Sequence, residues 1–529
     1  MLPAPMLPPG WLALLAIFQA CFTAPTYRLF TAVATGAVCQ VGRATLTGMQ
    51  RAAGLGTAVS HHRFSDFFAR NRWDAHQLGE RLALWVADHF VPPGEAVQVV
   101  VDDTLLERWG RKVFARMLSH DGSAQHTTAL TWGNRFVVVA IAVRVPQISP
   151  RAIALPVLIA LHQPRPRRTG DKRTRLGRAA SALESAQRRW APHAQRIRDR
   201  RAARAAAAAR GHRLPGTPQQ PGSRRARRAQ HAWQRLQDAR TAWERALDHV
   251  QACTSATAAP AAGGGERPSA PDIAVALVWR LAQVLGRPVH VVADAAYSTP
   301  ALAALPDTVT WTVRLKHTAV LHRAPARTGT ATRLGRPGQI AGAAPFTPLA
   351  DPACSAADVP CYRATLGHTP LRLVLIRNPH TTTGYDAALL STDTATPTTG
   401  VIARYRDRWA IETCFRDAKQ HLGLGQPHNR VPAAVRRTAP LQLLCYTLVI
   451  CYYALHGQPG PDTARRRAEA PYYTAKARPA FIDMAARLRR DIIRARHAPA
   501  ITEVCADHPD QPEQRITEIE QILSDIGAL

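Results

Sequence analysis

Three short stretches place carboxylates where elementary energetics discourages them. VQVVVDDTLL (97–106) carries Asp102 and Asp103 on an apolar, β-branched run, VHVVAD (289–294) ends on Asp294, and RWAIETCF (408–415) carries Glu412 in an amphipathic segment. A carboxylate at the end of a buried strand is costly unless it is ion-paired or bound to metal, so each position needs a reason. One reason is a structural ion pair. Another is chemistry: clustered carboxylates hold divalent cations about 4 Å apart, the arrangement that activates a nucleophile and stabilises the leaving oxygen in phosphodiester cleavage or transfer.

The stretch around the third acid, YRDRWAIETCFRDAK (405–419), reads as a helix. At 100° per residue Tyr405, Arg408, Glu412 and Lys419 fall within an arc of roughly 60°. Trp409, Ile411, Phe415 and Ala418 supply apolar positions for burial, and Gly423 and Gly425 an end signal. Arg408 and Glu412, four apart, could simply be an intrahelical ion pair.

The bulk properties point the same way. A formal charge of +31 on 529 residues and a pI near 11.1 imply a polyanionic partner, nucleic acid first and anionic membrane second. Nine scattered cysteines with no CxxC pair indicate neither a disulfide framework nor a zinc ribbon, and fit a reducing cytoplasm. No GxxxxGK[ST] loop occurs, so no ATP-driven step is expected. The apolar runs at 10–24 and 440–455 are short for a bilayer span and read as core helices, so no membrane partner is expected.

The elements that must position the acids follow from texture. Residues 1–94 form a helical N-terminal region expected to bind DNA: a helix at Thr45–Ala53, a Gly54–Gly56 turn and a second helix opening near Ser60 suggest either a loose helix-turn-helix, with Arg63 and Arg70 facing phosphate or bases, or an ordinary helical hairpin. Residues 95–164 hold three strands, VQVVVDDTLL, RFVVVAIAVRV (135–145) and AIALPVLIAL (152–161), with a turn at HDGS (120–123). Residues 165–271 interrupt them. Between 165 and 248 there are 23 Lys and Arg against 6 Asp and Glu, a net +17, in two helix-favouring halves expected to bind phosphates without reading sequence. Residues 272–304 supply a helix and the VHVVAD strand; 305–400 a β-rich insertion (VTWTVRLK, CYRATLG, LRLVLIRN, YDAALLSTD); 401–456 the Glu412 helix and an apolar packing helix; 457–529 a helical tail with helices near 479–496 and 512–526. The fold class is α/β.

Tyr405, Arg408, Glu412 and Lys419, spaced three, four and seven apart in the form YxxRWxIE, resemble the YREK signature of DDE transposases of bacterial insertion sequences. VVVDDT resembles the first-Asp strand of that family, VVADAAY its second-Asp strand, and WTVRLK the strand entering its β-rich insertion. The resemblance spans roughly 30–455. It implies an RNase H-like mixed-sheet core, interrupted here by the basic helical insertion as well as the β-rich one, with Asp103, Asp294 and Glu412 as the acids that hold two Mg²⁺ ions, Mn²⁺ being able to substitute. Asp102 competes for the first position, since a one-residue shift on a strand turns a side chain to the other face. Tyr405, Arg408 and Lys419 would contact DNA phosphate near the cut end, with Arg314 and Lys316 as added contacts and Trp311 either stacking or packing. The implied reaction is cleavage at the element's terminal inverted repeats and strand transfer into target DNA, in a cytoplasmic, nucleoid-associated homodimeric synaptic complex. The alternative is a domesticated, non-catalytic DNA-binding derivative.

Overall fold

The computed structural model describes residues 6–56, 59–120, 130–163, 267–323, 332–349, 354–367, 369–378, 380–381 and 384–506. The chain divides into two compact units, and the first (1–117, 132–163 and 268–529) contains every feature described below. The basic segment, the HDGS turn from its second residue on, and the expected helix at 512–526 lie outside the described residues.

The sheet is built on three antiparallel strands, β1 (Val97–Glu107), β2 (Leu130–Val143) and β3 (Ile153–His162). Helix α6 (Ala270–Leu285) then leads to β4 (Val289–Ala293), which runs parallel to β1 and to β5 (Val309–Arg314). The order β3-β2-β1-β4-β5 is that of an RNase H-like core. The strands of the β-rich insertion, β6 (Ser355–Cys361), β7 (Leu371–Arg377) and β8 (Ala387–Ser391), continue the same sheet as an antiparallel meander, in the order β5-β8-β7-β6. CYRATLG is strand only at Cys361, the last residue of β6, with a 3₁₀ turn at Ala364–Leu366.

Pro156 inside β3 is tolerated because, among the described residues, this strand pairs only with β2 and the register shifts there, so Ala140 faces Pro156 while Val139 faces Leu158. The Pro156 carbonyl accepts from Thr447 Oγ1 at 2.8 Å, tying the strand to helix α9 (Pro432–His456).

The N-terminal helices are α1 (Pro9–Ala16), α2 (Ala24–Cys39), α3 (Leu46–Ala52), α4 (His61–Ala69) and α5 (Ala75–Phe90). Thr45 and Ser60 cap α3 and α4 through their side-chain oxygens, which is why these helices begin where they do. Helix α5 lies so close to β3 that a Cβ on Gly79 would fall 1.9 Å from the Val157 carbonyl oxygen. Helix α9 packs against α1, α2, α4, α5, β3 and the C-terminal helix α10 (Phe481–Ala506). Its most apolar window is 89% buried by these neighbours, although length and composition alone would suit a membrane span. One contiguous apolar core therefore runs from Trp11 and Phe18 through the sheet to Ile492.

Candidate active site

Glu412 stands on α8 (Trp409–His421), which follows α7 (Thr398–Asp407) with a joint at Arg408. The expected single helix over 405–419 is thus two, and the cause is a local tightening. Arg408 N–H donates to the Tyr405 carbonyl (3.2 Å) and Ile411 N–H to that of Arg408 (3.1 Å), three-residue bonds in place of four-residue ones. The buried stripe of α8 is Ile411, Cys414, Phe415 and Ala418. Trp409, expected among the buried positions, is 62% exposed; it lies about 200° around the helix from Ile411, so both cannot face the core. The end signal holds: Gly423 and Gly425 adopt φ of +63° and +93°. A Cβ on Gly423 would also meet that of Ala44 at 2.5 Å, and Gln442 Nε2 donates to the Leu422 and Gly423 carbonyls at 3.1 Å.

Helix α7 is pinned across the sheet by polar contacts. Arg144 Nη2 donates to Asp407 at 2.6 Å, Gln98 Nε2 to the Arg404 carbonyl at 3.2 Å, and Arg404 Nη1 to Asp393 at 2.5 Å. Burial works against the Asp393 charge, but bonds from Thr396 and Arg404 outweigh it and hold that carboxyl down at about 2. Beneath lies His290, fully enclosed, with ring nitrogens 2.8 Å from Thr310 Oγ1 and 3.1 Å from Thr312 Oγ1. Burial, with the Arg404 charge, pushes the imidazole down to about 4, so it is neutral.

Gln98 and Asp102 share the face of β1 that meets α7 and α8. Arg408 Nη1 lies 3.3 Å from Asp102 Oδ2 while its Nη2 donates to Glu412 Oε1 at 2.8 Å. One guanidinium bridges the strand acid and the helix acid. Burial opposes its charge, yet Tyr405, Asp102 and Glu412 outweigh that and raise its basicity. Asp102 is pushed up to about 7, first by burial and then by the Asp103 and Glu412 charges, against the pull of the Asp103 N–H and Arg408.

Asp103 points the other way. It accepts from the Tyr297 hydroxyl at 3.1 Å and is 3.3 Å from Arg135 Nε. Burial raises the Tyr297 hydroxyl well above its ordinary range, so it remains a donor. Asp294 sits one step beyond the last β1–β4 register pair, Val101 with Ala293, which sets it level with Asp102. Its backbone is still extended (φ −79°, ψ 175°), so the two acids project to one face. Its charge reaches Tyr405, whose hydroxyl burial raises and the Arg408 charge lowers.

Of the expected phosphate contacts, Tyr405 and Arg408 are at this site, and Arg408 Cζ lies 5.8 Å from the Tyr405 ring. Lys419 follows Glu412 by seven residues on α8, about 10 Å along the helix. Arg314 is exposed at the end of β5 and its charge acts on Tyr405; Lys316, two residues on, is exposed. Trp311 is buried in the core and so packs. In the N-terminal region Arg63 is exposed, and Arg70 pairs with Asp66 at 3.5 Å.

Asp102, Asp294 and Glu412 offer only carboxylate oxygens, the donor type that suits a hard divalent cation, and the buried Asp102 carboxylate needs a countercharge. The set fits such an ion chemically. Among the described residues no three His, Cys, Asp or Glu side chains converge on one ready-made metal position; between Asp102 and Glu412 the countercharge is the Arg408 guanidinium. The partners Arg135 and Tyr297 are missed by sequence reasoning. The level placement of Asp102 and Asp294 has a usable signal, since aligning VVVD with VVAD end to end pairs them.

Residues 17–197 match the model of a family described as DDE superfamily endonuclease, and residues 260–448 that of a transposase DDE domain. The first match contains Asp102 and Asp103, and the second contains Asp294, Tyr405, Arg408, Glu412 and Lys419. No match is found among curated proteins.

Proposed function

Because the chain belongs to the DDE transposases, enzymes that cut DNA with divalent metal ions, we propose that it mobilises an insertion sequence by cleaving the element's terminal inverted repeats and joining them to target DNA. Water opens the phosphodiester at the element's end, and the freed 3′-hydroxyl then attacks a target phosphodiester. The second step exchanges one ester for another and needs no ATP.

The observation that carries this reading is the bridge from Asp102 through Arg408 to Glu412, with Asp294 level with Asp102 on the adjacent parallel strand. Acids from the middle of β1, the end of β4 and helix α8 lie on one side of the sheet. This geometry supports Asp102 for the first position, in place of Asp103 that the motif favours. The ions proposed are two Mg²⁺ per site, replaceable by Mn²⁺, held by Asp102, Asp294 and Glu412. When bound they supply Lewis acidity toward the phosphoryl oxygens.

The chain's own contribution is positioning. Tyr405, Arg408 and Lys419 grip phosphates next to the scissile bond, in the manner of the YREK signature, with Arg314 and Lys316 extending the contact. A guanidinium already beside the acids reaches a phosphate there by rotating away from Glu412. We assign the working form to a cytoplasmic homodimer that synapses two ends.

The test is cleavage of DNA carrying the element's termini, with and without Mg²⁺, comparing wild type with Asp294→Asn and Glu412→Gln. Metal-dependent nicking and joining, lost in both variants, is the expected result. Metal-independent cutting, or full activity in both variants, would sink the proposal, and binding without cutting by the wild type would favour the non-catalytic, domesticated alternative. Nicking without joining would make the chain a plain nuclease.

A further inference from the structure

Beyond the far ends of β1 and α8 lies a cavity of about 310 Å³ that the proposed chemistry does not use. Strand β1 runs from Asp102 to the cavity wall at Glu107 and Arg108, and α8 runs from Glu412 through Lys419 to its end at His421, four residues before Gly425 on the opposite wall. The strand leads away from the acids by roughly 20 Å and the helix by roughly 14 Å before it ends. A strand gripped at the acids and continued along this course arrives at the cavity after about six nucleotides at the 3.4 Å rise of a stacked strand, and after fewer where the strand is extended.

The lining is chosen for nucleic acid. Arg43, His428 and Arg430 are exposed on the rim, and Arg108 is buried in the wall. The Arg108 guanidinium donates to Asn134 Oδ1 (3.1 Å), the Glu107 carbonyl (3.1 Å) and the Gly425 carbonyl (2.6 Å), all neutral acceptors. Burial lowers its pKa to about 10, which still leaves it charged at neutral pH. A buried cation whose acceptors are neutral raises the potential of the cavity it lines. Trp109 stands in this setting with 67% of its surface exposed, an indole face offered to solvent inside a cationic rim. Glu107 is the one carboxylate on the lining, and it can accept from an exocyclic amino group of a base.

An indole platform ringed by guanidinium groups matches a base together with its phosphate, and the volume is at the small end of ligand pockets, ~300–1,000 Å³, the size for one nucleotide unit and too small for a duplex. We propose that this cavity holds an unstacked base of the DNA strand whose phosphate lies at the acids, with Trp109 as the stacking platform and Arg43 and Arg430 on its phosphates. The inference rests on the proposed function and adds a second point of grip, which fixes the direction of the strand across the site.

The experiment uses the full-length chain and end DNA with a single-stranded extension, in which 5-iodo-2′-deoxyuridine is moved one position at a time from the second to the eighth nucleotide from the cut. Irradiation of the wild-type complex is expected to crosslink the peptide containing Trp109 at one or two adjacent positions. Trp109→Ala, which removes a mostly exposed side chain and so leaves the fold intact, should lose the crosslink and weaken binding by roughly 10-fold to 100-fold. Trp109→Phe should restore most of the affinity. The proposal is overturned if the wild type binds this DNA and no position crosslinks to Trp109, or if Trp109→Ala binds within about twofold of wild type. Failure of the proposed function is distinguishable: Glu412→Gln stops cutting at any DNA concentration, whereas Trp109→Ala raises the concentration needed for half-maximal cutting.

Discussion

Replacing Asp102 and Asp103 one at a time by asparagine separates two readings that differ by a single residue. Asp102 faces Arg408 and Glu412 and is level with Asp294. In the proposed site, removing its charge takes away one ligand of an ion whose contribution to charge stabilisation is several kcal/mol; a loss of ~4 kcal/mol is about 10³-fold in rate. Asp103 faces Tyr297 and Arg135. The amide of Asp103→Asn still accepts from the Tyr297 hydroxyl and loses only the attraction of Arg135. That pair is largely shielded, at 26% and 20% side-chain exposure, so its loss costs ~1–3 kcal/mol of stability and leaves the acids on the other face in place. The assay is nicking of labelled end DNA in Mg²⁺, alongside urea unfolding midpoints measured at pH 8 with Mg²⁺ or with a chelator. Asp102→Asn is expected to lose about 10³-fold in nicking and most of the Mg²⁺-induced rise in midpoint. Asp103→Asn should nick within about threefold of wild type and keep that rise. The opposite ranking, with Asp103→Asn inactive and Asp102→Asn cutting within about tenfold of wild type, would refute the assignment.

Four further outcomes follow from the geometry. The Asp102 carboxyl titrates at about 7 when folded against 3.8 for the free group, so the native state binds the extra proton and its favourable contribution is lost as pH rises from 3.8 through 7. In chelator, Asp102→Asn should therefore gain stability relative to wild type between pH 5 and 8, by a few kcal/mol at most, as read by urea melts across that range. His290 has the opposite sense: its imidazole is held at about 4 against 6.5, so stability is present above 6.5 and lost as pH falls toward 4. His290→Gln should flatten that acid limb, which spans up to ~3 kcal/mol. Arg408→Ala should weaken binding of end DNA by roughly tenfold or more in a filter-binding titration, and leave Asp102 and Glu412 repelling each other, an instability that Mg²⁺ reverses. Gly423→Ala forces a left-handed φ and a clash with Ala44, and should cost ~2 kcal/mol or more in unfolding free energy.

The strands that carry the acids are legible because their apolar runs are continuous and β-branched, the signature of strands covered on both faces. The helix ends are legible too, since Thr45, Ser60, Gly423 and Gly425 act through local backbone chemistry. Periodicity alone misleads at Arg408: an ideal 100° step puts Tyr405 and Glu412 on one uninterrupted helix, whereas Arg404 and Asp407 are held by Gln98, Arg144 and Asp393 and the turn that follows them is tighter. Trp409 shows the same limit, because hydrophobic type was weighed above angular position. The choice between Asp102 and Asp103 turns on the pairing register of β1 and β4, a relation between segments almost two hundred residues apart in the chain. The cavity beside Trp109 draws its walls from three separate loops and leaves no mark on any one of them.

Helix α9 touches the first helices of the chain, the edge strand β3 and the C-terminal helix at once. The usual modular picture, in which a recognition head can be exchanged on a catalytic body like a tool on a handle, does not suit this molecule. An engineered chimera that replaced residues 1–94 would strip the cover from α9 and expose its apolar flank. A transplanted segment would have to bring a matching surface for α9, so changes to residues 1–94 are better made by point substitution than by exchange of the whole segment.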